Sequence, residues 1–549
     1  MLTTRMRFLG NGAFAAAFVL LTGCDAIWGL KRAELYTSDG GTGGGSGGGG
    51  AIPCTPGQVV TCYSGPSTTE GIGVCKAGLK ECSANGTYGP CMGEVTPLPE
   101  DCSTPQDDDC DGLAPTCKGT LMWAKHFGDA NDQHPTAVAV DSQGNVIVAG
   151  YFEGEAAFGT TPLVSTGGRD AFLVKFNASG THLWSRRFGD ADDQIATGVA
   201  VDPTDNIVLV GDFSGSIDFG GGALVAQKPP GIITTDVFVA KFAPDSTPLW
   251  SSQYGDANNQ SVSGVAIDSE SNIVVTGAFA GEVDFGGEAL VSAGGTDIFV
   301  ARFDKLGALL WSARFGDAAN QVARGVAFDS SNNAFLAGTF DGMLDFGTGA
   351  ITSAGGTDAF IAKLAASNTF EWFTRGGDKS DQSVAAVAAD SAGNVIVAGA
   401  FAGSVGFGAS PLMSAGAQDI FVAKLADSSI PSWSGRYGDA SDQVATAVGV
   451  DHQGSVLVAG NFSGAVNFGG DTLASLGGTD VFVTKLDSGG NHSWSKRFGN
   501  GDDQEASAAA FDSNGNGIVV GSFRGAVDFG GGLLTSAGGR DIFVAKFAP

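Results

Sequence analysis

From Leu309 the chain falls into four apolar-rich runs, LLWSARFG, VARGVAFD, NAFLAGTF and, after a longer loop, DAFIAKL. Each carries β-branched, aromatic or small apolar residues and is bounded by Gly, Asn, Asp or Ser, a pattern that predicts strands. Between the second and third runs lies DSSNN, matched by DSQGN at Asp141 and DSAGN at Asp390. These are short hairpin turns with Gly or Asn for the left-handed position. The unit recurs: Trp123, Trp184, Trp250, Trp311, Trp372, Trp433 and Trp494 mark seven copies, the signature of a repeat architecture. Four antiparallel strands per unit, repeated radially, predict the blades of a β-propeller.

The phase of the repeat predicts a closed ring. The array opens with a lone Trp strand in GTLMWAKHFG and stops at Pro549, directly after DIFVAKF. The first strand lacks blade-mates and the last three lack a Trp strand. Joined, they complete a seventh blade and remove an exposed sheet edge. The expected fold is therefore all-β: a seven-bladed β-propeller over residues 119–549, closed by an N-terminal strand. Runs such as ATGVAVD, VSGVAID and ASAAAFD suit a crowded central axis, and the Trp strand, with Arg186 and Arg187, suits the outer rim.

The polar positions repeat as well. FGDADDQ at Phe188 has a counterpart in every unit, and Gln133, Gln194, Gln260, Gln321, Gln382, Gln443 and Gln504 recur in all seven. A catalytic site needs one unsymmetrical constellation, whereas a connector needs the same solution each time. The motif is therefore read as a turn from an outer strand to the next blade's innermost strand, its Asp accepting backbone N–H bonds. Asn500 breaks the Asp series in the seventh copy, which argues against a sevenfold metal ring. Asp170, Asp236, Asp297, Asp358, Asp419, Asp480 and Asp541 are read as blade-internal hydrogen-bonding groups. The Lys or Arg five residues later, such as Lys241 or Arg302, is read as a solvated strand residue. No unsymmetrical charged or histidine site is expected at the channel mouth: the five histidines sit at scattered repeat positions, and no GxSxG, HExxH or P-loop occurs. One departure from symmetry is QKPPGIITT in the second unit, where Lys228, Pro229, Pro230, Ile232 and Ile233 form a candidate partner loop.

The N-terminal part changes the picture. Arg5 and Arg7 precede an apolar run from Ala13 to Leu21, too short for a comfortable membrane span, so residues 1–23 read as an export signal. The run ends in Leu21-Thr22-Gly23-Cys24, which resembles the lipobox of bacterial lipoproteins. That resemblance implies lipidation of Cys24, and several acyl chains anchor stably where one does not. Asp25 implies inner-membrane retention in some Gram-negative bacteria, so the destination stays open between the membranes of the envelope. Residues 24–53 contain SDGGTGGGSGGGG, which ends at Gly50 and reads as a flexible tether. Residues 54–118 then hold Cys54, Cys62, Cys75, Cys82, Cys91, Cys102, Cys110 and Cys117, an even set in an exported chain that predicts a disulfide framework of open connectivity.

Within that segment Asp107, Asp109 and Asp111 lead to Gly112 in D-x-D-x-D-G spacing, which can wrap a hard cation such as Ca²⁺. An EF-hand is excluded, because its twelfth position is Lys118. The stretch resembles the DDDCDG metal-binding motif of Cys-rich secreted bacterial segments; a solvated acidic loop is the competing reading. No other cofactor is called for.

The repeat itself resembles the bacterial β-propeller repeat of SBBP type, matched at Asp390, Gly393, Asn394, Gly399, Asp419, Phe421, Val422, Lys424 and Trp433. The chain departs from it by an FxGxxxFG insert in every unit. That family implies a fold and an extracytoplasmic setting, and no defined reaction. A formal charge of −29 argues against nucleic acid as a partner. The expected function is a membrane-anchored binding or scaffolding platform, non-enzymatic, for protein or glycan partners. The alternatives are a polysaccharide lyase or hydrolase at the channel mouth and a purely structural surface protein.

Overall fold

The computed structural model describes residues 54–98, 106–110, 112, 118–227, 233–408 and 410–549. They form two compact units: one holds 54–62 and 78–94, the other the described part of 63–77 and 95–549. In the first, Val59–Cys62 pairs antiparallel with Gly78–Glu81, stapled by Cys54–Cys82 and Cys62–Cys91. Cys75–Cys110 bridges the second unit. Cys102 and Cys117 lie outside the described residues, as do the signal, the tether and Cys24.

The second unit contains a seven-bladed β-propeller. Every blade is a four-stranded antiparallel sheet ordered from an inner to an outer strand, as in the first blade: Gln133–Val140, Val146–Phe152, Asp170–Phe176 and His182–Phe188. The seventh blade takes three strands from the end of the array, Gln504–Phe511, Gly517–Phe523 and Asp541–Phe547. Its outer strand is Leu121–Phe127, with Leu121 opposite Phe547 and Phe127 opposite Ile542. The ring closes as its phase predicts.

Second and third strands have no solvent face. Ile273–Phe279 and Asp297–Phe303 are buried along their whole length, because each blade is covered on both faces by its neighbours. The apolar cores accordingly lie between blades: Ile147 and Leu173 of the first pack with Leu209, Phe238 and Ala240 of the second. Inner strands carry small residues for a steric reason. A Cβ on Gly264 would press on the backbone of Gly325 in the next blade. The FxGxxxFG insert forms a small hairpin, Ser216–Asp218 with Ala223–Val225 in the second blade. Its Phe219 is buried 4.9 Å from Phe188 and 5.0 Å from Phe238.

One expectation fails here. Lys241 and Arg302, read as solvated, are buried, and so are their counterparts in the other five blades. Alternation along a strand encodes exposure only where one face meets water, and this strand has neither face free. Lys241 bonds Asp202 at 2.8 Å, Lys175 bonds Asp141 at 2.8 Å, and Arg302 bonds Asp268 at 2.5 Å. Each Asp lies in the hairpin turn of its own blade. The fourth blade differs: Lys363 pairs with Glu371 at 2.8 Å and with Asp427 of the next blade.

The same cations reach across blades. Lys175 Nζ donates to Pro244 O at 3.3 Å, and Trp184 Nε1 donates to that carbonyl at 3.1 Å. Lys546 and Trp123 of the seventh blade hold Ala178 O of the first at 3.2 and 3.0 Å. Burial pushes Asp202 up, but its bonds to Lys241, Asn206 and Thr204 outweigh that and hold it at about 2.

Removing one partner of a buried pair strands the other charge. Lys241→Met should destabilise the propeller by about 3–5 kcal/mol, and adding Asp202→Leu should recover most of the loss, both read from urea denaturation. An unchanged midpoint for Lys241→Met would show that the pair is not structural.

Candidate functional site

The repeated turn consumes its polar groups internally. Asp190 Oδ1 accepts from Asp192 N at 2.9 Å and Gln194 Nε2 at 2.8 Å. Its Oδ2 accepts from Ser216 N at 2.7 Å and Ser216 Oγ at 2.8 Å, which ties the turn to the FxGxxxFG hairpin. Gln194 also accepts from Asp190 N and donates to Ser214 O. Burial raises Asp190, yet these bonds hold it below the usual carboxylate range. Asn500 reproduces the arrangement with its amide, bonding Asp502 N, Gln504 and Ala526 O. A neutral amide serves as well as a carboxylate, as expected of a turn.

The second polar series closes the same region. Arg187 Nη1 lies 2.7 Å from the buried Asp170 Oδ2, which also accepts from Thr166 N at 2.9 Å. Arg314, Arg375, Arg436 and Arg497 make the equivalent pairs. The other carboxylate oxygen abuts a glycine: a Cβ on Gly189 would collide with Asp170 Oδ1 and Gln194 Oε1, which accounts for the Gly of the motif. The second and seventh blades have Gln253 and His126 at the Arg position. There burial pushes Asp236 and Asp541 up to about 6.

Against this symmetry, one cluster on the turn face belongs to the first and seventh blades alone. His134 and Glu505 are the second residues of their inner strands, just ahead of Thr136 and Ser507, which line the central channel. Tyr151 pairs across the sheet with His134, their rings stacked at 5.1 Å, and the Arg169 guanidinium lies 5.1 Å from the Tyr151 ring. Arg169 also contacts Glu153 at 3.4 Å. Arg540 bonds Glu505 at 2.8 Å, while its Nη1 is buried without a hydrogen-bond partner. Asp132 accepts from Arg540 N at 2.8 Å and meets Arg524 at 3.4 Å. Burial lowers His134 and raises Tyr151, so both are neutral near pH 7.

The absence of unsymmetrical charged or histidine groups at the channel mouth, expected from sequence, is thus corrected. The missed signal lies in repeat columns. Arg169 and Arg540 stand where the other five units have Thr or Gln, and Tyr151 stands where the other six units have Asp212, Ala278, Thr339, Ala400, Asn461 and Ser522. The channel contains a further departure, Arg324, in a column otherwise of Thr, Ser and Ala.

The remaining sequence candidates are not gathered into one site. Asp107 Oδ2 accepts from Gly112 N at 3.0 Å; Asp109 is described and Asp111 lies outside the described residues. Among the described residues no group of three His, Cys, Asp or Glu side chains is placed to hold a metal ion. Of the second-unit loop, Ile233 is 78% exposed, while Lys228, Pro229, Pro230 and Ile232 lie outside the described residues. No described helix is long and apolar enough to cross a membrane.

No family model matches the chain. It is 22% identical over 500 residues to an uncharacterized WD repeat-containing protein, L264, of Acanthamoeba polyphaga mimivirus, covering 74% of this chain and 36% of that protein. It is 27% identical over 164 residues to the regulatory protein FlaEY of Caulobacter vibrioides, covering 28% and 17%. The chain therefore spans well under half the length of these curated relatives. Among solved structures, a polysaccharide lyase PL25 ulvan lyase aligns with a TM-score of 0.41 and 11% identity, over 76% of this chain and 97% of that one. The β-propeller domain of the Trilobed protease from Pyrococcus furiosus aligns with a TM-score of 0.38 and 10% identity, over 77% and 94%. At these values neither neighbour lends its activity to this chain.

A pH dependence follows from Asp212, in the Tyr151 column. Its carboxylate accepts from Val262 N of the third blade at 2.8 Å, as Asn461 does from Ala506 N at 2.7 Å in the sixth. Burial pushes Asp212 up to about 8. The folded state holds a proton that the unfolded chain releases near pH 4, so stability falls as pH rises from about 4 to about 8. Asp236 and Asp541 add to the fall below pH 6. Asp212→Asn should raise the melting temperature at pH 8 by several degrees and leave it unchanged near pH 4. Equal shifts at both pH values would remove the carboxylate as the cause.

Proposed function

We propose that this chain is a lipid-anchored, extracytoplasmic propeller that binds a protein or glycan partner through the face where the first and seventh blades meet. The bridges of the N-terminal region fit an oxidising compartment outside the cytoplasm. Cys24 as the acylated anchor and the Gly-rich tether would let the propeller stand off a Gram-negative envelope membrane. The reading rests chiefly on one observation: the polar groups that recur around the ring are tied up in turns and interblade bonds, whereas His134, Tyr151, Arg169, Arg524 and Arg540 form one unsymmetrical, partly exposed group. Arginine and tyrosine are the residues that concentrate binding energy at interfaces. The Ile233 loop and a calcium-stabilised Asp107–Asp111 turn are secondary elements of the same proposal.

A catalytic reading has one observation in its favour: a neutral imidazole stacked on a phenol, with arginines alongside, could move a proton in a lyase or hydrolase. Tyr151→Ala with Arg169→Gln should weaken partner capture by the full chain at least about tenfold. The measurement is affinity on a glycan array and against envelope extracts, with the melting temperature as a folding control. Capture unchanged by the double variant would move the binding face elsewhere. Release of shortened or unsaturated sugar products, lost in His134→Ala, would replace the platform by the enzyme.

A further inference from the structure

The central channel has its own asymmetry. At one level of the inner strands, five of seven blades present a hydroxyl: Thr136, Thr197, Ser263, Thr446 and Ser507. Four of these point away from the channel's contents. Thr136 donates to Ala196 O at 2.6 Å, Thr197 to Val262 O at 2.8 Å, Ser263 to Ala323 O at 2.5 Å and Thr446 to Ala506 O at 2.8 Å, each a carbonyl of the next blade. A β-bulge at this residue makes the reach possible, as between Ala196 and Gly198.

The consequence is electrostatic. Inner strands are sheet edges, and their outward backbone groups form the channel wall. Hydroxyls cap the carbonyls of Ala196, Val262, Ala323 and Ala506, and Asp212 and Asn461 take the N–H groups of Val262 and Ala506, so much of the backbone polarity at this level is already satisfied. Into this ring the fourth blade places Arg324, exposed and without an ion pair or hydrogen bond to any described residue. It is the only charged side chain among those lining the channel pocket. Ser507 makes no hydrogen bond through its hydroxyl to the described residues, so it remains free to donate. Next along the strands comes a column of small residues, including Gly198, Gly264 and Gly325, and then an apolar column of Val138, Val199, Val265, Val326, Val387 and Val448. The open pocket has a volume of about 210 Å³, room for a small oxyanion.

We infer that the channel is a binding site for a carboxylate or sulfate group, held by the Arg324 guanidinium with the Ser507 hydroxyl as a further donor. Arginine matches such groups through paired, charge-assisted hydrogen bonds. A free anion and the acidic substituent of a glycan share this chemistry. The site stands apart from the proposed binding face, and its failure would leave that face untouched.

The test is calorimetric titration of the full chain and its Arg324→Gln and Arg324→Lys variants with sodium sulfate and with trigalacturonate, at low ionic strength. Binding stronger than about 1 mM is expected for at least one probe. It should weaken at least tenfold in Arg324→Gln and recover in part in Arg324→Lys, whose planar fork is lost but whose charge remains. Tighter binding of trigalacturonate would identify a glycan substituent, and equal or tighter binding of sulfate a free anion. Arg324 has no partner among the described residues, so Arg324→Gln should melt with the wild type. Wild-type affinity in Arg324→Gln would overturn the site, and so would the absence of measurable heat with both probes.

Discussion

A buried cation held between a carboxylate of its own blade and a carbonyl of the next is the interaction on which the ring depends. Lys175 shows its form: 2.8 Å to Asp141 within the first blade and 3.3 Å to Pro244 O in the second, with Trp184 on the same carbonyl. Hydrophobic burial between blades is large but non-directional, so faces as uniformly apolar as these could slide. A buried charge cannot slide without losing its partner. Each blade thus fixes the azimuth of its neighbour, and the arrangement recurs from the seventh blade to the first through Lys546 and Trp123.

Such a scaffold divides polar residues by multiplicity. Groups that recur around the ring answer a demand that the blades share: Asp190 and Gln194 cap a turn, Asp170 and, in five blades, an Arg such as Arg187 brace it, and Lys175 latches the next blade. Residues present once answer no shared demand. Asp212 is instructive, since it is unsymmetrical yet structural, doing for Val262 N what Asn461 does for Ala506 N. Asymmetry alone is therefore weak evidence of function. It becomes stronger when several odd residues meet at a partly exposed place, as His134, Tyr151, Arg169 and Arg540 do, or when one faces a cavity without a partner among the described residues, as Arg324 does.

The blade count, strand order and ring closure are legible in the sequence because Trp, Asp and Gly recur at fixed spacing and the array stops one strand out of phase. The role of FGDADDQ is legible for the same reason. Burial of Lys241 is not, because a lysine at an alternate strand position looks like a solvent-facing residue until the strand is known to have no solvent face. Arg324 is within reach of sequence reasoning, standing alone in its repeat column, but its meaning depends on that column facing a channel.

The cluster of the first and seventh blades is hidden for a deeper reason. Its members come from residues 132–169 and 505–540, the two ends of the array, and nothing local links Asp132 to Arg540. They meet only when Leu121–Phe127 pairs with Asp541–Phe547. The Arg540 N to Asp132 bond of 2.8 Å and the Arg524 contact at 3.4 Å cross that junction. Closure that hides a sheet edge therefore also assembles the cluster. An open ring would leave Arg540 and Glu505 on one free blade face and His134 on the other. Binding energy gained at the cluster is then closure energy as well, since a ligand bridging both blades favours the state in which they touch.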